Sequence, residues 1–149
     1  MSRWIARSTV LGMRILAVDH GQARIGLAIS DLSGVVARPL EVITHQSRHS
    51  DAKRVATIAI QNGVGLILVG LPIDPHGHIG SYARTVLRFG KTLQAISTLP
   101  VKYWDESFST KTAAKLLRDT RQRSRPKIDA AAAAITLQDY LDAHAPQSH

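Results

Sequence analysis

Short apolar runs recur through the first two-thirds of the chain, and most have the length of a β-strand. Five such runs lie at residues 14–19, 24–30, 35–44, 66–70 and 101–104. The first two are joined by the short segment HGQAR, which predicts a hairpin. The third contains Pro39, which favours an edge strand or a β-bulge. The fourth, LILVG, is continuously apolar, as is typical of a strand buried on both faces.

Helical periodicity replaces the strand pattern between and after the later runs. Apolar residues recur at helical spacing between Ser50, which we expect to cap a helix, and Gly63, which we expect to end it. Further helices are predicted over residues 81–97, from Ser109 or Thr110 to residue 117, and from Pro126 to about residue 144. This order of elements predicts an α/β fold, with a mixed five-stranded sheet flanked by helices on both faces.

The length of 149 residues is typical of one domain. We expect a single domain over residues 13–144, a disordered basic extension at residues 1–12 and a tail at residues 145–149, with Met13 an alternative start. No run approaches the roughly 18 apolar residues of a membrane-spanning helix, so no membrane partner is expected. The chain has no cysteine, which excludes disulfides and thiolate metal sites and fits a reducing cytosol.

Charge points to a polyanionic partner. The chain carries 19 Lys and Arg against 11 Asp and Glu, a formal net charge of +8, and a small basic domain is typical of nucleic-acid binders. The candidate phosphate-binding residues are Arg24, Arg84, Arg88, Lys91, Arg121, Arg123, Arg125 and Lys127. For Arg24 a surface ion pair is an equally good interpretation, and the other basic residues could form ordinary solvated faces.

Acidic residues stand at the predicted strand ends. Asp19 ends the first strand, Asp105 and Glu106 end the fifth, and Asp129 lies near the start of the last helix. Because ligands bind beyond the carboxyl ends of strands in open α/β sheets, these carboxylates could meet and hold Mg²⁺ or Mn²⁺, the ions that oxygen ligands favour. Two such ions can hydrolyse a phosphodiester. Asp19 as a turn cap and Asp129 as a helix-dipole partner are the alternatives.

Asp105 and Glu106 are adjacent, so an extended chain points them to opposite sides, and only one should reach the site. The residues do not decide which one does.

Four segments together resemble one known family. MRILAVDHGQARIGLAISD, LILVGLPIDPHG, VKYWDESFST and IDAAAAAITLQDYL are similar, in this order, to the YqgF family, also called RuvX, of pre-16S rRNA nucleases. The resemblance runs from Met13 to about Leu141. It implies a ribonuclease-H-like fold, nuclease activity in the 5′-end maturation of ribosomal RNA, and a cytoplasmic bacterial protein. Holliday-junction resolvases are relatives in that superfamily.

The resemblance also assigns site residues. The family's first-strand Asp maps to Asp19, its acidic pair to Asp105 and Glu106, and its last-helix Asp to Asp129. Our leading hypothesis is a Mg²⁺- or Mn²⁺-dependent nuclease in which Asp19, Glu106 and Asp129 are catalytic metal ligands. Two departures are visible: Ser107 replaces a frequent Arg, and residues 70–72 lack the carboxylate that junction resolvases carry near the end of the fourth strand.

Three other functions fit parts of the pattern. A Holliday-junction resolvase would cut branched DNA as a homodimer, whereas the RNA nuclease could act as a monomer. A non-catalytic nucleic-acid-binding module would bind without metal-dependent turnover. A phosphotransferase related to actin-like kinases would need two such domains, and this chain has room for only one.

Overall fold

The computed structural model describes residues 12–73, 76–106 and 125–145, with only the backbone described for 125–128. The strands are β1 (Arg14–His20), β2 (Arg24–Ser30), β3 (Ala37–Thr44), β4 (Val64–Leu71) and β5 (Val101–Asp105). The helices of these residues are α1 (Arg48–Gln61), α2 (Ser81–Ile96) and α3 (Arg125–Ala143). The predicted helix over residues 109–117 and the extension at residues 1–11 lie outside the described residues, so these expectations and the domain limits stay predictions.

The five strands form one mixed sheet in the order β3-β2-β1-β4-β5. β1 pairs antiparallel with β2 and parallel with β4, and β4 pairs parallel with β5. The predicted hairpin is therefore confirmed. Both expectations for Pro39 are confirmed too, because β3 is an edge strand and its register against β2 shifts beside Pro39.

Side chains alternate between the two faces of the sheet, and each face is covered by helices. Leu16 and Val18 of β1 pack in the cluster that includes Val55 of α1 and Phe89 of α2. Ile15 and Ala17 pack instead in a second cluster beneath α3, with Ala133, Leu137 and Tyr140. The prediction of helices on both faces is thus confirmed, and each residue of β1 can be assigned to a face by its parity.

The cap of α1 differs from the prediction. Ser47, and not Ser50, is the N-cap, and its Oγ accepts a hydrogen bond from the backbone N–H of Ser50 at 3.2 Å. The helix thus begins one turn earlier than its apolar spacing indicates, because the capping residue precedes the first buried positions, Asp51 and Ala52. No helix among the described residues is long and apolar enough to cross a membrane.

Candidate active site

The site lies where the parallel strands β1, β4 and β5 end, on the face of the sheet that α3 covers. Asp19 has the parity of Ile15 and Ala17, so it belongs to that face. Trp104 packs against the same cluster, and Glu106 follows it by two residues. Parity therefore places both carboxyls on the α3 side at one end of the sheet.

Asp105 has the opposite parity, and its side chain is exposed. The structure brings Glu106 to Asp19, whereas Asp105 influences the pair through its charge, which raises the pKa of Glu106. The sequence left open which of the two acids reaches the site, and in the structure it is Glu106 that lies next to Asp19.

Asp19 and Glu106 form a partly buried carboxyl pair. Burial, the charge of Asp19 and a hydrogen bond shared with it raise the pKa of Glu106 to about 9. Burial also raises the pKa of Asp19; the bond with Glu106 opposes this rise and the charge of Asp129 adds to it. Both groups are charged only at a cost, so without a cation the pair retains a proton near neutral pH.

The Glu106 carboxyl is held in place by its backbone and by a glycine. The Glu106 N–H donates to the carbonyl of Leu71 at 3.1 Å, which extends the β4–β5 pairing by one residue. A Cβ on Gly70 would lie 2.7 Å from Cγ and Cδ of Glu106. Glu106 Oε1 is buried and has no hydrogen-bond partner among the described residues. Gly70 therefore makes the space that Glu106 occupies, a role that its sequence position did not reveal.

Asp129 reaches the site because α3 approaches β2 very closely. Gly26 pairs with Asp19 across the β1–β2 ladder, and a Cβ on Gly26 would collide with the Asp129 carbonyl and lie 3.0 Å from the Ala130 nitrogen. Only a residue without a side chain fits there. The charge of Asp129 raises the pKa of Asp19, so the two carboxylates lie within electrostatic reach of each other, and their joint binding of a metal stays a prediction.

Arg24 binds a carboxylate of the site. Its Nε donates to Asp129 Oδ2 at 2.8 Å, with the two side chains 28% and 32% exposed. Of the two interpretations open for Arg24, the ion pair is observed, and Arg24 holds an acid of the site. Its assignment as a phosphate-binding residue stays a prediction.

Tyr82, in the first turn of α2, forms one boundary of the site. Its hydroxyl donates to the backbone carbonyl of His20. Burial, followed by the charges of Asp19, Glu106 and Asp129, raises the pKa of Tyr82 to about 12. The sequence indicated only a buried helix position for Tyr82, because its apolar spacing says nothing about nearby acids in other elements.

The other predicted basic residues fall into two groups. Arg84, Arg88 and Lys91 lie exposed along α2, as their spacing indicated. The remaining four are Arg121 and Arg123, which lie outside the described residues, and Arg125 and Lys127, of which only the α3 backbone is described.

The acids of the site are partnered in two separate pairs. The raised pKa of Glu106 favours one proton on the Asp19–Glu106 pair, which leaves one negative charge there, and Asp129 is bonded to Arg24. In the part of the chain that the structure describes, no three His, Asp or Glu residues are grouped closely enough to hold a metal ion. The donor set nevertheless suits a hard cation, because it consists of oxygen atoms and includes an orphaned buried one, Glu106 Oε1.

Comparison with known proteins identifies the family. Residues 13–143 match the RuvX family model, which is described as Holliday junction resolvase. The chain belongs to the RuvX family. Three bacterial relatives carry the name "Putative pre-16S rRNA nuclease". That of Thermoanaerobacter pseudethanolicus is 40% identical over 134 residues, 87% of this chain and 96% of the relative. Those of Desulforamulus reducens and Symbiobacterium thermophilum are each 42% identical over 136 residues, 89% of this chain and 99% and 94% of the relatives.

Solved structures support the fold. RuvC of Thermus thermophilus superposes with a TM-score of 0.56 at 17% identity, covering 88% of this chain and 95% of RuvC. The fowlpox virus resolvase, solved with Holliday junction DNA, gives a TM-score of 0.59 at 14% identity, covering 90% of this chain and 100% of the resolvase. The ribonuclease-H-like fold predicted for this RuvX chain is confirmed, and its family confirms the predicted nuclease class.

Proposed function

We propose that this RuvX protein is a divalent-metal-dependent nuclease that cleaves structured precursor RNA in the 5′-end maturation of 16S ribosomal RNA. One observation supports the catalytic assignment: Asp19, Glu106 and Asp129, which are far apart in the sequence, lie at one end of the sheet, where Glu106 is hydrogen-bonded to Asp19 and the charge of Asp129 raises the pKa of Asp19. The names of the relatives support the substrate.

Asp19, Glu106 and Asp129 are the residues that would hold the metal, and Mg²⁺ or Mn²⁺ suits their oxygen donors. When bound, such an ion would supply Lewis-acid activation of the phosphodiester and of the attacking water. The raised pKa values of Asp19 and Glu106 fit this assignment, because a cation would stabilise the charged forms that burial and then neighbouring charges disfavour.

The chain's own residues prepare the site for this chemistry. Arg24 is bonded to Asp129 at the start of α3. The positive charge of Arg24 thus partly offsets the negative charge that Asp129 brings to the Asp19–Glu106 pair. Gly26 lets the backbone of α3 approach β2, and Gly70 leaves room for the Glu106 carboxyl beside β4. The exposed Arg84, Arg88 and Lys91 form a basic line along α2 that can bind the phosphates of a strand.

The catalytic assignment is tested by Asp19→Asn and Asp129→Asn. We expect each to reduce cleavage of a precursor 16S RNA fragment by at least about 100-fold, or ~2.7 kcal/mol of barrier. Asp139→Asn is the matched control, because Asp139 is an exposed acid on the same helix as Asp129. Cleavage at the parent rate by Asp19→Asn would rule out the assignment, and equal losses in Asp129→Asn and Asp139→Asn would show a general effect of charge on α3.

A Holliday-junction resolvase is the second candidate, and the description of the family model is the observation that favours it. The four-way DNA junction is therefore assayed beside the RNA fragment, with the same variants and with Mg²⁺ or Mn²⁺. Paired, symmetric cuts in the junction and no RNA cleavage would replace the RNA nuclease proposal with this one. Tight binding of either substrate without turnover in either metal would identify a non-catalytic binding module.

A further inference from the structure

A cavity lies on the other face of the sheet, beside the acid site. It encloses about 370 Å³ between β1, α1 and α2, within the range of small-ligand sites. Its wall includes His20, His45, Arg48, Tyr82, Arg88 and Phe89. We name it the His20 cavity. None of its described lining residues is acidic.

His20 forms an unusual part of this wall. Its side chain follows Asp19 and therefore points to the opposite face, where its ring lies 4.7 Å from that of Phe89. Only 7% of His20 is exposed, and its Nδ1 is buried without a hydrogen-bond partner among the described residues. A buried ring nitrogen without a partner costs roughly 1–3 kcal/mol, so this position is not explained by stability.

His45 is fixed in the same wall by a buried acid. Its Nδ1 lies 2.5 Å from Oδ2 of Asp51, which is fully buried and also accepts a hydrogen bond from the Gln46 N–H at 3.0 Å. The ring of His45 stands edge-on to that of His20, with centroids 6.2 Å apart. Asp51 thus orients His45 from behind the wall and does not itself line the cavity.

Two guanidinium groups complete the wall from opposite sides. Arg48 comes from the first turn of α1 and Arg88 from the middle of α2, and both residues are exposed. Guanidinium groups bind phosphate by paired hydrogen bonds, and aromatic rings bind the planar bases of nucleic acids. A nucleotide combines both features, whereas inorganic phosphate uses only the first and a nucleoside only the second.

We propose that the His20 cavity binds one nucleotide of the substrate strand, with its base among the rings of the wall and its phosphate on Arg48 and Arg88. This proposal rests on the proposed function, because the nucleotide is taken to belong to the RNA that the nuclease cleaves. Tyr82 connects the two places: it lines the cavity, its hydroxyl binds the His20 carbonyl, and its pKa responds to the three acids. A strand crossing this end of the sheet would thus have one nucleotide in the cavity and a nearby phosphodiester at the acids.

Binding is measured with the full chain in EDTA, so that the result does not depend on cleavage. Adenosine 5′-monophosphate, adenosine and inorganic phosphate are titrated separately while the imidazole NMR signals of His20 and His45 are followed. We expect the mononucleotide to bind at least about ten-fold more tightly than either fragment, with both histidine signals shifting. Equal binding of phosphate alone, or no shift of either histidine, would overturn the proposal.

Arg48→Ala should weaken mononucleotide binding about ten-fold. Lys53→Ala is the matched control, because Lys53 is exposed on the same helix but does not line this cavity. Equal weakening by both variants would indicate a general effect of charge and would overturn the assignment. Thr85→Phe, which places a ring at the cavity wall, should block the mononucleotide if the base enters the cavity.

Cleavage assays show whether the cavity binds a nucleotide of the RNA strand or a free nucleotide. We expect Arg48→Ala to raise the KM for the RNA about ten-fold with kcat unchanged, and adenosine 5′-monophosphate to compete with the RNA. If the chain binds the mononucleotide but Arg48→Ala leaves the KM for RNA unchanged, the bound nucleotide does not come from the substrate strand, and the proposal is overturned. If the proposed function fails, neither the parent nor any variant cleaves RNA, but mononucleotide binding can still be measured in the titration. If the proposal for the His20 cavity fails, the chain cleaves RNA, but the signals of His20 and His45 do not shift when the mononucleotide is added.

Discussion

Replacing Glu106 with glutamine should make the metal-free protein more stable at mildly alkaline pH while abolishing cleavage. The pKa of Glu106 is about 9 in the folded protein, against 4.5 ordinarily, with burial as the main cause. The folded protein therefore keeps a proton that the unfolded chain releases. This contribution to stability is fully present below about pH 4.5 and is lost as the pH rises towards 9.

The size of the effect follows from the linkage between protons and folding. For one proton held only by the folded state, the free energy of unfolding falls by about 1.4 kcal/mol for each unit that the pH rises. Between about pH 5 and about pH 8 this amounts to about 4 kcal/mol, part of it shared with Asp19, whose pKa is also raised. Glutamine has the same shape and stays neutral, so Glu106→Gln should match the parent near pH 5 and exceed it increasingly above that.

Urea unfolding in EDTA at several pH values measures this difference. Glu41→Gln is the matched control, because Glu41 is an exposed acid on the edge strand β3, and its difference from the parent should not vary with pH. If the stabilities of Glu106→Gln and the parent fall in parallel from about pH 5 to about pH 8, the Glu106 carboxyl is not buried as described, and the argument fails.

Two glycine substitutions should separate the geometry of the site from the stability of the fold. Gly70→Ala places a methyl group against the Glu106 side chain, so we expect a loss of cleavage of at least about ten-fold with less than about 1 kcal/mol of destabilisation, measured by urea unfolding. Gly26→Ala meets the backbone of Asp129 and Ala130, which cannot rotate away, so both cleavage and stability should fall, the latter by about 1–3 kcal/mol. Equal stabilities of the two variants would contradict this distinction.

The sequence predicted the sheet well because its signals there are local. Apolar runs of strand length indicated five strands and a hairpin, and Pro39 within the third run indicated a strand at the edge of the sheet. The choice between Asp105 and Glu106 needed one fact from the tertiary structure, because Trp104 has the parity of Glu106 and only its packing beneath α3 shows which face that is.

The rest of the site could not be predicted, because it depends on distances between elements. Nothing near Gly70 in the chain indicates that a carboxyl from another strand fills the space above it. The partner of Arg24 lies 105 residues away, so a phosphate contact and an ion pair looked alike. The same holds for the His20 cavity, whose wall combines a strand end with residues of two helices.

The acid site shows how a basic chain can keep a negative centre. The negative charge of its acids is reduced in two ways, by the raised pKa of Glu106, which favours one proton on the Asp19–Glu106 pair, and by the guanidinium of Arg24 on Asp129. A cation that binds there must displace the proton and compete with Arg24, so its affinity should rise with pH and its binding should release protons. The basic residues of α2 are exposed and remain available to a strand. Local pairing at the acids therefore allows the opposite charges needed for binding and for hydrolysis to lie at the same end of one small sheet.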